Sequence, residues 1–231
     1  MNKSVWMISK LNLKNLKVPY IIIGVLFLVM LVQDIIKIVT ASGDSQTIIS
    51  IGNYLWLFIP FAAVYIATKN FRRIVNLGGK RKSFFKGNLV TYLILSGAVA
   101  LISTLLYYTY DRFITDAKAF EGVLNLLTVF GWSTHGPAAV FFQQFAFLFL
   151  LAVCAHTLAA VQGSWIGWTV DIFIAAVLAV FIPIAPLRTI LIGFFNLIIF
   201  QPGALFQILA CLVLGGAIYA LNLPIFNRKA I

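Results

Sequence analysis

Six runs of mainly apolar residues each reach the length of about 20 that a helix needs to cross a bilayer. They are Pro19–Val39, Ile48–Thr68, Leu89–Tyr110, Pro137–Val161, Trp165–Pro186 and Ala204–Leu223. Nothing else in the sequence limits the fold so severely. Lipid offers no hydrogen-bond partners, so backbone at that depth must satisfy itself within helices or a closed barrel. Barrel strands read as short alternating segments, whereas these runs are continuous. The fold class expected is therefore all-α, a polytopic membrane protein with six transmembrane helices. Composition agrees, with 62% of residues hydrophobic and 10% charged. A soluble domain carries about 45–50% and about 25% respectively. A disordered chain needs the opposite balance of hydrophobicity and charge. No polar stretch remains that is long enough for a separate soluble catalytic domain.

Charge sorts between the two sides of these spans. The N-terminal segment (Lys3, Lys10, Lys14, Lys17), the loop after the second span (Lys69, Arg72, Arg73, Lys80, Arg81, Lys82, Lys86) and the tail (Arg228, Lys229) hold no acidic residue. The other side collects Asp34, Asp44, Asp111, Asp116 and Glu121, with Lys37, Arg112, Lys118 and Arg188. Basic loops stay in the cytoplasm, so both termini are expected there. The net charge of +11 is thus assigned to orientation rather than to nucleic acid. The first apolar segment is too long for a signal peptide and lacks a small-residue cleavage site, so it is expected to be retained. Cys154 and Cys211 lie inside apolar runs and read as buried thiols.

Two segments fall outside a plain six-helix count. At 100° per residue, Lys3, Lys10, Lys14 and Lys17 fall within about 60° of one another, with most apolar residues elsewhere on the wheel. Residues 1–18 therefore read as a helix lying in the cytoplasmic interface, turned by Pro19 into a membrane domain of residues 19–231. A basic flank with no helical role is the alternative. Ile190–Phe200 is apolar but too short to span, and lies between Pro186 and Pro202. It reads as an outer re-entrant hairpin turning near Gly193 and Asn196, or as an amphipathic loop on the outer leaflet.

The stretch 69–87, KNFRRIVNLGGKRKSFFKG, mixes charge with apolar side chains. Phe71, Ile74, Val75 and Leu77 fit one short helix, which Gly78–Gly79 would end because glycine accepts the left-handed backbone required there. A solvated loop has no need of Phe71, Ile74, Leu77, Phe84 and Phe85, which suggests a docking surface. Its seven basic residues suit anionic headgroups equally well.

This segment, N-L-G-G-K-R-K-S-F-F-K-G, resembles the loop of small Gram-positive ABC exporter permeases of the type 2 class. In that family the loop forms a coupling helix seated in a groove of a cytoplasmic ATPase. The resemblance implies ATPase contacts from Phe71, Arg72, Arg73, Ile74, Leu77, Lys80, Arg81, Lys82, Phe84 and Phe85. Residues 3–18 then resemble the family's connecting helix, Ile190–Phe200 its outer re-entrant segment, and the tail NRKAI its short basic ending. The likeness spans the chain in layout and about 20 residues in motif. A basic residue common in the family between the fourth and fifth spans is replaced here by Gln162–Gly163–Ser164, which puts a second ATPase contact in doubt. The resemblance implies a bacterial cell-membrane exporter whose partners are an ABC ATPase and a second permease, identical or related. The implied cargo is amphipathic or hydrophobic peptides, with drugs or lipids as alternatives.

Chemistry on the chain itself is sparse. No G-x-x-x-x-G-K-[ST] phosphate loop occurs, so ATP and magnesium are expected on the partner chain and no cofactor on this one. His135 and His156 have no spaced ligand partners, which disfavours a metal site. Gly163–Ser164 is only a fragment of a serine-protease setting, and a lipid-modifying enzyme would need carboxylates on the basic side. Asp171 reads either as a cavity-lining acid or as the partner of His156 or Gln162. His156 and Gln143 are further candidates for polar residues in a cavity, and Gln143, Gln144 and Gln207 suit helix-to-helix hydrogen bonds. A six-helix vitamin-capture subunit for uptake remains the alternative, since it shares size and span count without needing an aromatic loop.

Overall fold

A computed structural model of the chain describes residues 3–40, 47–116, 122–162 and 165–228. Asp44, Lys118, Glu121, the Gly163–Ser164 pair and the tail from 229 onward lie outside the described residues. Almost everything described is helix. Five helices are long and apolar enough to cross a membrane, or six if one bent pair counts as a single span.

Helix α1 (Lys3–Asn15) breaks at Leu16, and α2 (Lys17–Thr40) follows at once. Pro19 sits in the first turn of α2, where a missing N–H is tolerated. Strand β1 (Thr47–Ile49) leads into α3 (Ile51–Leu55), which Ser50 caps through its hydroxyl, and then α4 (Phe58–Tyr65). A π-helical turn, Ile66–Asn70, carries α4 straight into α5 (Phe71–Asn76). The second apolar helix thus extends from Ile51 to Asn76, with a turn at Trp56–Leu57. Helix α6 (Arg81–Leu106), a second π-turn (Tyr107–Asp111) and α7 (Arg112–Asp116) make the third, continuous from Arg81 to Thr115. At 1.5 Å per residue, its 35 residues extend about 50 Å, against a hydrocarbon core of about 30 Å.

Strand β2 (Gly122–Leu124) pairs in parallel with β1, Ile48 opposite Val123. The short α8 (Leu126–Val129) and a 3-10 turn at Trp132–His135 precede α9 (Pro137–Val161), which opens on a proline in its first turn. Then come α10 (Trp165–Phe181), α11 (Ala185–Phe195), a third π-turn (Asn196–Phe200) and α12 (Ala204–Arg228). Helix α9 is the centre of the bundle, packed on α4, α6 and α12, while α1 lies across α6. Gly87 permits that crossing, because a Cβ there would stand 2.6 Å from Ile8 Cγ2 and 3.2 Å from the Val5 carbonyl oxygen. Helices α2, α10 and α11 are peripheral, and α11 buries no side chain at all.

Four expectations from the sequence are corrected. The stretch 69–87 is not a loop set apart from the spans, although the short helix expected over residues 71–77 and its end at Gly78–Gly79 are present. Both neighbouring helices run on beyond the expected ends of their spans, so only Leu77–Lys80 lies between them. The fifth apolar run does not continue to Pro186. Helix α10 stops at Phe181, and α11 leaves it bent by 117°. Gly193 and Asn196 lie in continuous helix, so the bend falls at residues 182–184, beside Pro183, rather than at those residues. The chain also holds a two-stranded ladder that the all-α expectation lacked.

Candidate functional site

The basic tip between α5 and α6 is the segment the sequence singled out. Gly78 adopts φ +79°, its N–H bonds the Val75 carbonyl at 2.9 Å, and the Gly79 N–H bonds the Ile74 carbonyl at 2.9 Å. That pair of bonds satisfies the last carbonyls of α5 and reverses the chain within four residues. The outcome for the ten coupling candidates is divided. Phe71 and Phe84 are fully buried with rings 5.4 Å apart, and Ile74 is buried beside them. Phe85 is half-buried and stacks on Tyr219, whose hydroxyl donates to the Phe85 carbonyl at 2.6 Å. These side chains complete the chain's own core instead of forming an external patch. A helix face that covers its own bundle and one that covers a partner have the same sequence pattern. Leu77 stands free at the apex, 74% exposed, among the exposed Arg72, Arg73, Lys80 and Lys82, with Arg81 half-buried.

Helix α1 braces this tip. Lys3, Lys10, Lys14 and Lys17 face outward with Trp6 and Met7, while Val5, Ile8, Ser9, Asn12 and Leu16 are buried. The inward polar pair enters a network the sequence reading missed. Asn12 Nδ2 donates to Asn88 Oδ1 at 2.7 Å, Asn70 Nδ2 donates to Asn12 Oδ1 at 3.2 Å, and Thr91 donates to Ser9 at 3.1 Å. Arg73 also reaches Asn15 at 3.2 Å. Asn70 closes the π-turn, so the turn's extra residue rotates a polar side chain inward to meet α1. The available signal was the placement of Asn88 and Thr91 three residues apart on one face of an otherwise apolar helix.

The interior polar candidates do not converge. Asp171 is exposed on α10 and accepts from Gln162 Nε2 at 3.1 and 3.0 Å, which answers the pairing question in favour of Gln162. His156 is buried against Tyr92, with its Nδ1 hydrogen-bonded to the Tyr92 hydroxyl and Tyr219 alongside. Gln143 is fully buried nearer the other end of α9. Gln144 bridges to Thr104 at 2.9 Å, the helix-to-helix role expected of it.

A second polar site occupies the end opposite the tip. Asp111, 4% exposed, accepts from Ser50 at 3.0 Å and from Asn125 at 2.6 Å, while Asn125 also donates to Ser50 at 3.0 Å. Tyr110 beside it donates to Asp34 at 3.1 Å. A hollow of about 310 Å³ adjoins this group, lined by Tyr107, Asp111, Arg112, Thr115, Asn125 and Thr128 among others. Sequence reading counted Asp111 only as a surface acid. Its burial depends on the second π-turn and on the loops that the ladder brings together. No family model, curated protein or solved structure matches the chain.

Proposed function

We propose that the chain is the membrane-spanning permease subunit of an ATP-driven exporter, working with a separate ABC ATPase and a second permease. Both termini and the basic tip would be cytoplasmic, in a bacterial cell membrane. The observation that carries this reading is the tip itself. Two membrane-length helices run on into a four-residue turn that presents one exposed leucine in a ring of arginine and lysine. Such a knob suits a groove with an acidic rim. Buried Phe71 and Phe84 and the braced α1 make it stiff enough to carry a push into the spans. Alternating access would then be a rigid-body movement of helices. The low charge of the interior favours hydrophobic or amphipathic cargo, peptides first.

The test is co-expression with the neighbouring ATPase, comparing wild type with a Lys80/Arg81/Lys82→Glu reversal. Loss of the complex, or of transport-coupled hydrolysis, is the expected result. Unchanged coupled activity in the reversal would discard the docking role. A capture subunit for uptake is the second reading, favoured by the polar hollow beside Asp111. It predicts a protein that purifies alone and ignores the tip substitutions.

A further inference from the structure

Helices α9 and α12 run in the same direction at constant register. Asn222 hydrogen-bonds Thr157, 65 residues earlier, Gly215 lies against Phe149 and Leu150, and Cys211 packs with Ala146 and Leu150. At that register, one turn further from the basic tip, Gln143 of α9 falls opposite Ile208 of α12, with Gln207 next to Ile208 in sequence. The two glutamines are therefore neighbours at the last layer of the seam, one residue out of register, and both are fully buried. Neither amide atom of Gln143 has a hydrogen-bond partner among the described residues, nor does Gln207 Oε1. Gln207 Nε2 is engaged, donating to the Ile198 carbonyl at 3.0 Å. The layer thus holds an amide donor and two amide acceptors with nothing of the chain's own to bond.

Buried polar groups in native proteins are almost always paired, and where the chain supplies no partner, ordered water does. We infer that the seam between Gln143 and Gln207 is a water-binding site. Water there accepts from Gln143 Nε2 and donates to the two amide oxygens. The π-turn Asn196–Phe200 seals it. Its Ile198 carbonyl takes Gln207 Nε2 and the Cys211 thiol, the latter at 3.5 Å, and its Ile199 carbonyl takes Trp132 Nε1 at 2.7 Å. Since α11 before it buries nothing, the turn is fastened by these bonds, by buried Ile198 and by Phe200 against Phe130. The site's water exchanges when the turn lifts, and Trp132 is the pin.

Radiolytic footprinting of the full chain in lipid nanodiscs, run in ordinary and in ¹⁸O-labelled water, tests this without any ATPase and so independently of the export reading. X-ray pulses turn bound water into hydroxyl radicals that oxidise the nearest side chain. The Cys211 thiol lies 3.5 Å from Gln207 Nε2 and is the reporter, although it is fully buried. Oxidation of Cys211 is expected in wild type, with ¹⁸O appearing more slowly than at exposed residues. It should fall to background in Gln143→Met/Gln207→Met, which keeps volume and removes the amides, while Cys154 labelling is unchanged. Trp132→Phe should speed the entry of ¹⁸O. Wild-type Cys211 that stays unoxidised overturns the proposal, even where the double variant fails to fold. Equal oxidation in a folded double variant, or ¹⁸O entering wild type at the bulk rate, overturns it too.

Discussion

At the scale of single residues, the informative side chains are polar ones placed where the sequence is otherwise apolar. Asn12 touches Asn70, Asn88 and Thr91, and all four are buried. Asn12→Leu removes one partner from three groups that stay buried, and each such orphan costs about 1–3 kcal/mol. A lower thermal midpoint in detergent is expected, and an unchanged midpoint would show that water replaces Asn12. Asn70→Leu should act on the same network, so the double substitution should lose less than the two single losses combined. The sequence displayed the lysine face of α1 clearly, because charge at helical spacing has one natural reading. The facing Ser9 and Asn12 stayed unread, since a short polar residue looks alike whether it meets solvent or a partner. Asp171 shows the reverse. Its pairing with Gln162 was one of two local candidates, and the choice between them depends on how α10 packs beside the end of α9.

Among the elements, the turn at the tip was the most legible. Gly78–Gly79 announced a helix end, and the positive φ of Gly78 supplies it. Gly78→Ala should lower stability by about 1–2 kcal/mol, the penalty of placing a Cβ in the left-handed region. Urea or thermal unfolding of the two proteins side by side gives that difference. Gly87→Ala is a different case, because its Cβ meets Ile8 and Val5 of α1. It should prise α1 from α6 while sparing the bundle, seen as new proteolytic cleavage within residues 3–15. Resistance equal to wild type would mean that α1 slides without detaching. The face of α5 was misjudged in its destination. Phe71 and Ile74 show the period of a surface seeking cover, and periodicity does not say whose surface provides it.

For the whole molecule, apolar length alone announced a bundle of membrane-length helices. The 117° bend between α10 and α11 and the β1–β2 ladder were beyond that kind of evidence. A proline-flanked break allows many angles, and a three-residue parallel ladder joins segments some 75 positions apart in sequence. Asp111 is the keystone of that distant end. Asp111→Ala leaves the Ser50 hydroxyl and the Asn125 amide short of an acceptor, and should destabilise the fold by about 1–3 kcal/mol. Faster amide exchange at residues 47–49 and 122–124 should accompany the loss, and exchange as slow as in wild type would show that the ladder holds alone. The ladder also has a mechanical meaning. The helices Ile51–Asn76 and Arg81–Thr115 are tied by a four-residue turn at one end and by β1–β2 with the Ser50–Asp111–Asn125 group at the other. Fastened at both ends, they act as one double-shafted lever. On the proposed export reading, a tilt imposed at Leu77 is expected to emerge about 50 Å away as a displacement of the strands.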